Sequence, residues 1–106
     1  MLNINGEEWR ILLVSPTHPS LKKSNGSYAI GSCDDSLKTI FLNDTLDYEY
    51  MKKVLCHEIV HAVMFSYNVY LDYYWEEIMA DLIATYGQEI IFLTNRVMHK
   101  IEKRGA

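Results

Sequence analysis

The sequence predicts a single α+β domain in which a small sheet of about three strands precedes two main helices. Three observations indicate this: a β-prone run near the N-terminus, two further β-prone runs around a turn, and two long segments of helical character. A block of strands followed by a block of helices is typical of the α+β class. The 106 residues suffice for one core, so the whole chain, 1–106, is predicted to be one domain.

The predicted strands are short and are separated by turn signals. The run EWRILLV (8–14) ends before Pro16, which interrupts regular structure. The runs SYAIGSC (27–33) and KTIFLND (38–44) flank the short polar segment DDSL. Two such runs joined by a few turn-forming residues predict a hairpin.

The first predicted helix opens near Leu46, where Asp44, Thr45 or Asp47 can cap it. The segment DYEYMKKVLCHEIVHAVMFSY (47–67) has helical length and contains neither glycine nor proline. Its first half is amphipathic, whereas its second half is apolar apart from two histidines and one glutamate.

The second predicted helix begins near Tyr74 and runs to about Lys103, with Gly87 weakening its middle. Apolar residues recur along it at helical spacing. They are Ile78, Leu82, Tyr86, Ile90, Leu93, Val97 and Ile101.

Composition narrows the classes of function. The net charge is −4 and no basic stripe occurs, so nucleic acid is not an expected partner. The two cysteines, Cys33 and Cys56, form neither a disulfide scaffold nor a C-x-x-C pair. The N-terminus lacks the basic start of a signal peptide, and no run of 18 apolar residues predicts a membrane span. A cytoplasmic protein with no membrane partner is therefore expected.

The three polar residues of the apolar segment VLCHEIVHAVMF (54–65) have the spacing of a metal site. His57 and His61 lie one helical turn apart on one face, so both imidazoles can bind one ion. Glu58, rotated away from that face, can reach a bound water as a general base, which is the H-E-x-x-H arrangement. Ordinary core histidines are the alternative, but a buried carboxylate needs a partner, and the apolar half contains no lysine or arginine.

A catalytic zinc ion needs a third protein ligand, and the segment WEEIMAD (75–81) offers one. Glu77 is the predicted ligand, and Asp81, one turn further, is predicted to accept a hydrogen bond from the far ring nitrogen of His57. Glu76 is the alternative ligand, ranked second because Ala80 follows it at the same spacing.

The motifs HEIVH and EEIMAD resemble the gluzincin pattern H-E-x-x-H followed by E-x-x-x-D. Their E-x-x-A-D form is similar to that of the ImmA/IrrE family of small bacterial and phage-associated metallopeptidases, over roughly residues 28–95. The resemblance implies a minimal zincin fold, zinc ligands His57, His61 and Glu77, and Glu58 as base. It also implies that KTIFLND is an edge strand against which a peptide substrate lies. The short interval between the motifs also resembles stand-alone zincin domains and SprT-like proteins.

The predicted function is therefore zinc-dependent hydrolysis of a specific protein, such as a regulator or repressor of a mobile element. The alternative is a protein-binding module that keeps zinc and acts by docking a partner. Zincins usually stabilise the developing oxyanion with a Tyr, His or Arg near the metal. The sequence leaves seven candidates open for that role: Tyr67, Tyr70, Tyr73, Tyr74, Tyr86, His18 and His99.

Overall fold

The structure, a computed structural model, describes residues 2–104. It contains four strands and two long helices. This arrangement confirms the α+β class. A one-turn 3-10 helix, Pro19–Leu21, lies between the second and third strands. The main elements in chain order are β1 (Leu2–Ile4), β2 (Glu7–Val14), β3 (Gly31–Asp34), β4 (Thr39–Asn43), α1 (Tyr48–Ser66) and α2 (Tyr73–Lys103).

The sheet is mixed, with strand order β1-β2-β4-β3. β2 and β4 are parallel, and the two outer pairs are antiparallel. The strand beyond the predicted three is β1, which forms a hairpin with β2 through Asn5 and Gly6. Both residues have positive φ angles, 50° and 81°, as the tight hairpin turns favoured by Asn-Gly require.

The structure corrects the predicted edge strand. KTIFLND was expected at the edge, but β4, which it contains, lies between β2 and β3. Four successive residues of β4, Thr39 to Leu42, are buried, and burial on both faces is typical of a central strand. The edge strand on this side of the sheet is β3.

The main core lies between the sheet and α1. Trp9 and Ile40 are fully buried there and pack with Val54 and Ala62 of α1. The Trp9 indole Nε1 donates a hydrogen bond to Ser66 Oγ at 2.9 Å, which ties the end of α1 to β2. These contacts fix the position of α1 relative to the sheet.

α2 packs against α1, with Ala80 fully buried against Val60 and Met64. Asp47, one of the three predicted caps, accepts a hydrogen bond from the Tyr50 amide and begins α1. Asp72 caps α2 in the same way. Within residues 2–104, neither helix has a stretch long and apolar enough to cross a membrane.

Candidate metal centre

The polar residues of the apolar segment meet those of α2 across the interface between the helices. α1 and α2 run antiparallel, so His57 lies opposite Asp81 and His61 lies opposite Glu77. Glu58, the fifth residue of the group, also lies on α1. The structure thus brings together all five residues that the sequence analysis singles out for the site.

Three ligand atoms converge on one point. The Nε2 atoms of His57 and His61 are 3.2 Å apart. The Glu77 carboxylate faces both, with Oε1 at 2.8 Å from His61 Nε2 and Oε2 at 3.3 Å from His57 Nε2. The three residues present atoms within 4.8 Å of one another and could hold a metal ion.

This donor set fits zinc in both chemistry and spacing. Two imidazoles and one glutamate are a known ligand set of catalytic zinc sites. Atoms bound tetrahedrally at about 2.0–2.1 Å stand roughly 3.3 Å apart, close to the separations found among these side chains. The geometry fixes a three-ligand group but not the identity of the metal.

Each imidazole is oriented by a carboxylate at its other nitrogen. His57 Nδ1 lies 2.9 Å from Asp81 Oδ1, the contact that the sequence analysis expects. His61 Nδ1 lies 2.6 Å from Glu76 Oε2. When Nδ1–H donates a hydrogen bond to the carboxylate, the neutral imidazole directs its Nε2 lone pair at the common point.

Glu76, the alternative ligand of the sequence-based prediction, therefore does not lie among the convergent ligand atoms. Its carboxylate is bonded to the far nitrogen of His61, whereas Glu77 meets both Nε2 atoms. The signal that could have revealed this is the antiparallel packing of the two helices. If His57 lies opposite Asp81, then His61, one turn later, lies opposite residues one turn before Asp81.

Glu58 is buried beside the convergent ligands, with 8% of its surface exposed. Burial raises the pKa of its carboxyl to about 7; the His57 imidazole opposes the rise and the Glu77 carboxylate adds to it. Space for Glu58 depends on Gly31 of β3. A Cβ atom at Gly31 would stand 3.2 Å from Glu58 Oε2 and only 2.8 Å from Val54 Cγ1.

A cleft of about 650 Å³ opens over the site between β3 and the two helices. Of the seven predicted oxyanion candidates, Tyr73 lines this cleft. Tyr50, which was not among those candidates, also lines it. Cys33 also lies in its wall, where burial and then the Glu58 charge raise the pKa of the thiol to about 12. A thiol with so high a pKa is protonated at neutral pH and is a poor metal ligand.

Comparison with models of protein families, with curated proteins and with solved structures finds no match to this chain. The chemistry of the site is therefore argued from its own residues.

The ligand assignment predicts a graded response to alanine substitution. His57→Ala and Glu77→Ala each remove a ligand, and each should weaken zinc binding by more than about a hundredfold. Asp81→Ala and Glu76→Ala remove an orienting partner and should cost about ten- to a hundredfold. Titration against a competing chelator measures each affinity. A full complement of zinc in Glu77→Ala together with metal-free Glu76→Ala would reverse the two roles.

The tight approach of β3 to α1 predicts a cost for any side chain at position 31. Gly31→Ala should lower the free energy of unfolding by about 1–3 kcal/mol, because its Cβ overlaps Val54 Cγ1. Val54→Ala removes that atom, so Gly31→Ala should cost at least about 0.5 kcal/mol less in the Val54→Ala background. Denaturant unfolding of the four proteins measures this coupling, and equal costs in both backgrounds would disprove the contact.

The raised pKa of Glu58 predicts a pH-dependent stability in chelator-treated protein. The ordinary pKa is 4.5 and the folded value is about 7, so the folded state binds the proton more tightly than the unfolded state. Wild type should lose stability relative to Glu58→Gln as pH rises from 4.5 to 7, by up to about 3 kcal/mol, with no further change above. A difference in unfolding free energy between the two proteins that stays constant across this pH range would contradict the raised pKa of Glu58.

Proposed function

We propose that this protein is a zinc-dependent endopeptidase with Glu58 as its general base. The observation that carries the proposal is the convergence of two imidazole nitrogens and the Glu77 carboxylate at the floor of a cleft, beside a buried glutamate. The resemblance of HEIVH and EEIMAD to the ImmA/IrrE pattern supports the same reading.

The ligand count supports a catalytic rather than a structural ion. Structural zinc sites are closed by four protein ligands, whereas catalytic sites keep one position for water or substrate. In the described part of the chain, the candidate group has three members, His57, His61 and Glu77. The cleft above them gives a substrate access to the fourth position.

The residues of the site divide the work of peptide hydrolysis. A zinc ion held by His57, His61 and Glu77 would supply a Lewis acid that polarises a peptide carbonyl and makes a water molecule easier to deprotonate. The Glu58 carboxylate takes one proton from the attacking water as its oxygen bonds to the carbonyl carbon. The protonated Glu58 then gives that proton to the leaving nitrogen as the C–N bond breaks. Asp81 and Glu76 hold the two imidazoles in the required tautomer throughout.

The position of β3 supports an extended peptide as substrate. β3 is the last strand on its side of the sheet, and Gly31 and Cys33 line the cleft. One row of its backbone groups is not paired with a strand and can hydrogen-bond an added peptide strand. We propose that a segment of a specific protein, such as a regulator or repressor of a mobile element, binds there with its scissile bond over the metal.

A single conservative substitution tests the proposed reaction. Glu58→Gln should keep its fold and its zinc, because three other residues supply the ligands. It should lose roughly 10²- to 10⁴-fold in turnover, because a neutral amide does not accept the proton from water. Glu49→Gln is a matched control: it makes the same change on an exposed residue of α1 and should leave turnover unaltered.

The assay is the appearance of new N-termini, identified by mass spectrometry, in bacterial proteins incubated with each variant. Cleavage by wild type and Glu49→Gln, but not by Glu58→Gln, supports the peptidase. A protein that is bound by all three variants and remains whole would favour the docking module. Equal cleavage by Glu58→Gln and wild type would exclude Glu58 as the base.

A further inference from the structure

α2 carries a continuous stripe of seven apolar side chains that face away from the metal site. They are spaced four or three residues apart, the pattern of a helix that packs along another helix. Their exposed fractions range from 37% to 55%. We define the stripe as Met79, Ile83, Tyr86, Ile90, Leu93, Val97 and Ile101.

The stripe lies on a different face of α2 from the one that packs on α1. Ala80 and Glu76 contact α1, and the centre of the stripe is about 75° around the helix axis from the midpoint between them. All residues from Gln88 to Arg104 are exposed, so nothing in residues 2–104 buries the distal half of the stripe. The molecule is correspondingly elongated, 58 Å by 30 Å by 28 Å.

The charges beside the stripe are self-complementary in one orientation. Glu89 and Arg96 flank it on the same side, two turns apart. If a second copy of α2 packs antiparallel, Ile90 lies against Leu93 of the other copy, and each Glu89 falls beside an Arg96. A parallel pair would leave both charges without a partner and would bring the two globular parts to the same end.

The exposed area suffices for a stable pair. The seven side chains each expose roughly 100 Å², so complete burial of both stripes would remove about 1,400 Å² from solvent, within the range of specific protein interfaces. We propose that the protein forms a symmetric dimer in which the stripes of two α2 helices pack antiparallel, centred on Ile90 and Leu93. Three α2 residues that line the cleft, Glu77, Asp81 and Ala84, lie on the opposite face and stay accessible.

The first test is the molar mass in solution, measured by light scattering over about a hundredfold range of concentration. Zinc-loaded wild type should have twice the 12.4 kDa chain mass. The double variant Ile90→Glu, Leu93→Glu should be monomeric, with its dissociation constant raised at least a hundredfold, because it places four carboxylates in the interface. Phe92→Glu is the matched control: Phe92 is 63% exposed on the same turn but lies off the stripe, so its dimer should persist.

The second test addresses orientation and uses variants that keep every stripe residue. Glu89→Arg or Arg96→Glu alone should weaken the dimer about tenfold, because each creates two repulsive pairs, and the two together should restore wild-type affinity. Zinc content of each variant reports folding independently, since the ligands lie on residues 57–77. The proposal is overturned if wild type is monomeric. It is also overturned if Phe92→Glu dissociates the dimer as strongly as the double variant does, or if the combined charge reversal does not restore the dimer.

Discussion

The close packing of α2 on α1 at Ala80 is the constraint on which the candidate metal centre depends. Ala80 is fully buried against Val60 and Met64, one turn from the histidines that face the site. Its small side chain lets the two helices approach closely enough for Glu77 to lie 2.8 Å from His61 Nε2. The sheet fixes α1 through Trp9 and Ser66, α1 fixes α2 through Ala80, and the ligand geometry follows from these two contacts.

The electrostatics of the cluster favour the binding of a cation. Four carboxylates, those of Glu58, Glu76, Glu77 and Asp81, surround the two imidazoles. In residues 2–104, no lysine or arginine lies within ion-pair distance of any of the four. Burial raises the pKa of the Glu58 carboxyl, and the negative charge of Glu77 adds to the rise. A divalent cation at the convergent atoms would offset both effects. The carboxylates that are unfavourable in the metal-free protein would therefore favour metal binding.

Local sequence signals predicted most of the fold but not the order of the strands. Helical spacing and the presence of capping residues at Asp44, Thr45 and Asp47 were sufficient to predict α1, because both depend on neighbours within a few residues; the structure selects Asp47 as the cap. The position of β4 between β2 and β3 depends on pairing with residues about 30 positions earlier in the chain, which no local pattern reports. The available sequence signal was the continuous apolar run IFL (40–42), since a strand covered on both faces lacks the alternation of apolar and polar residues. The Asn5-Gly6 turn was likewise a readable hairpin signal.

The sequence predicted those parts of the site that lie on one helix or that follow from the spacing of residues i and i+4. The contact between Asp81 and His57 follows from the i, i+4 relation to Glu77, and the structure contains it. The contact between Glu76 and His61 required the rotation and register of α2 relative to α1, which Ala80 sets. Gly31 was not predicted either, because its importance comes from the distance between a strand and a helix far apart in sequence.

One continuous helix connects the candidate metal centre to the proposed interface. α2 runs unbroken through Gly87, so helical geometry fixes the stripe on one face and the cleft residues on another. In an antiparallel pair centred between Ile90 and Leu93, the two metal centres would stand about 40 Å apart. The α2 residues Glu77 and Asp81, which line the cleft, lie on the face of the helix opposite the stripe, so the partner helix would not enter the cleft. The proposed pairing therefore accounts for the exposed distal half of α2, while each site remains complete within a single chain.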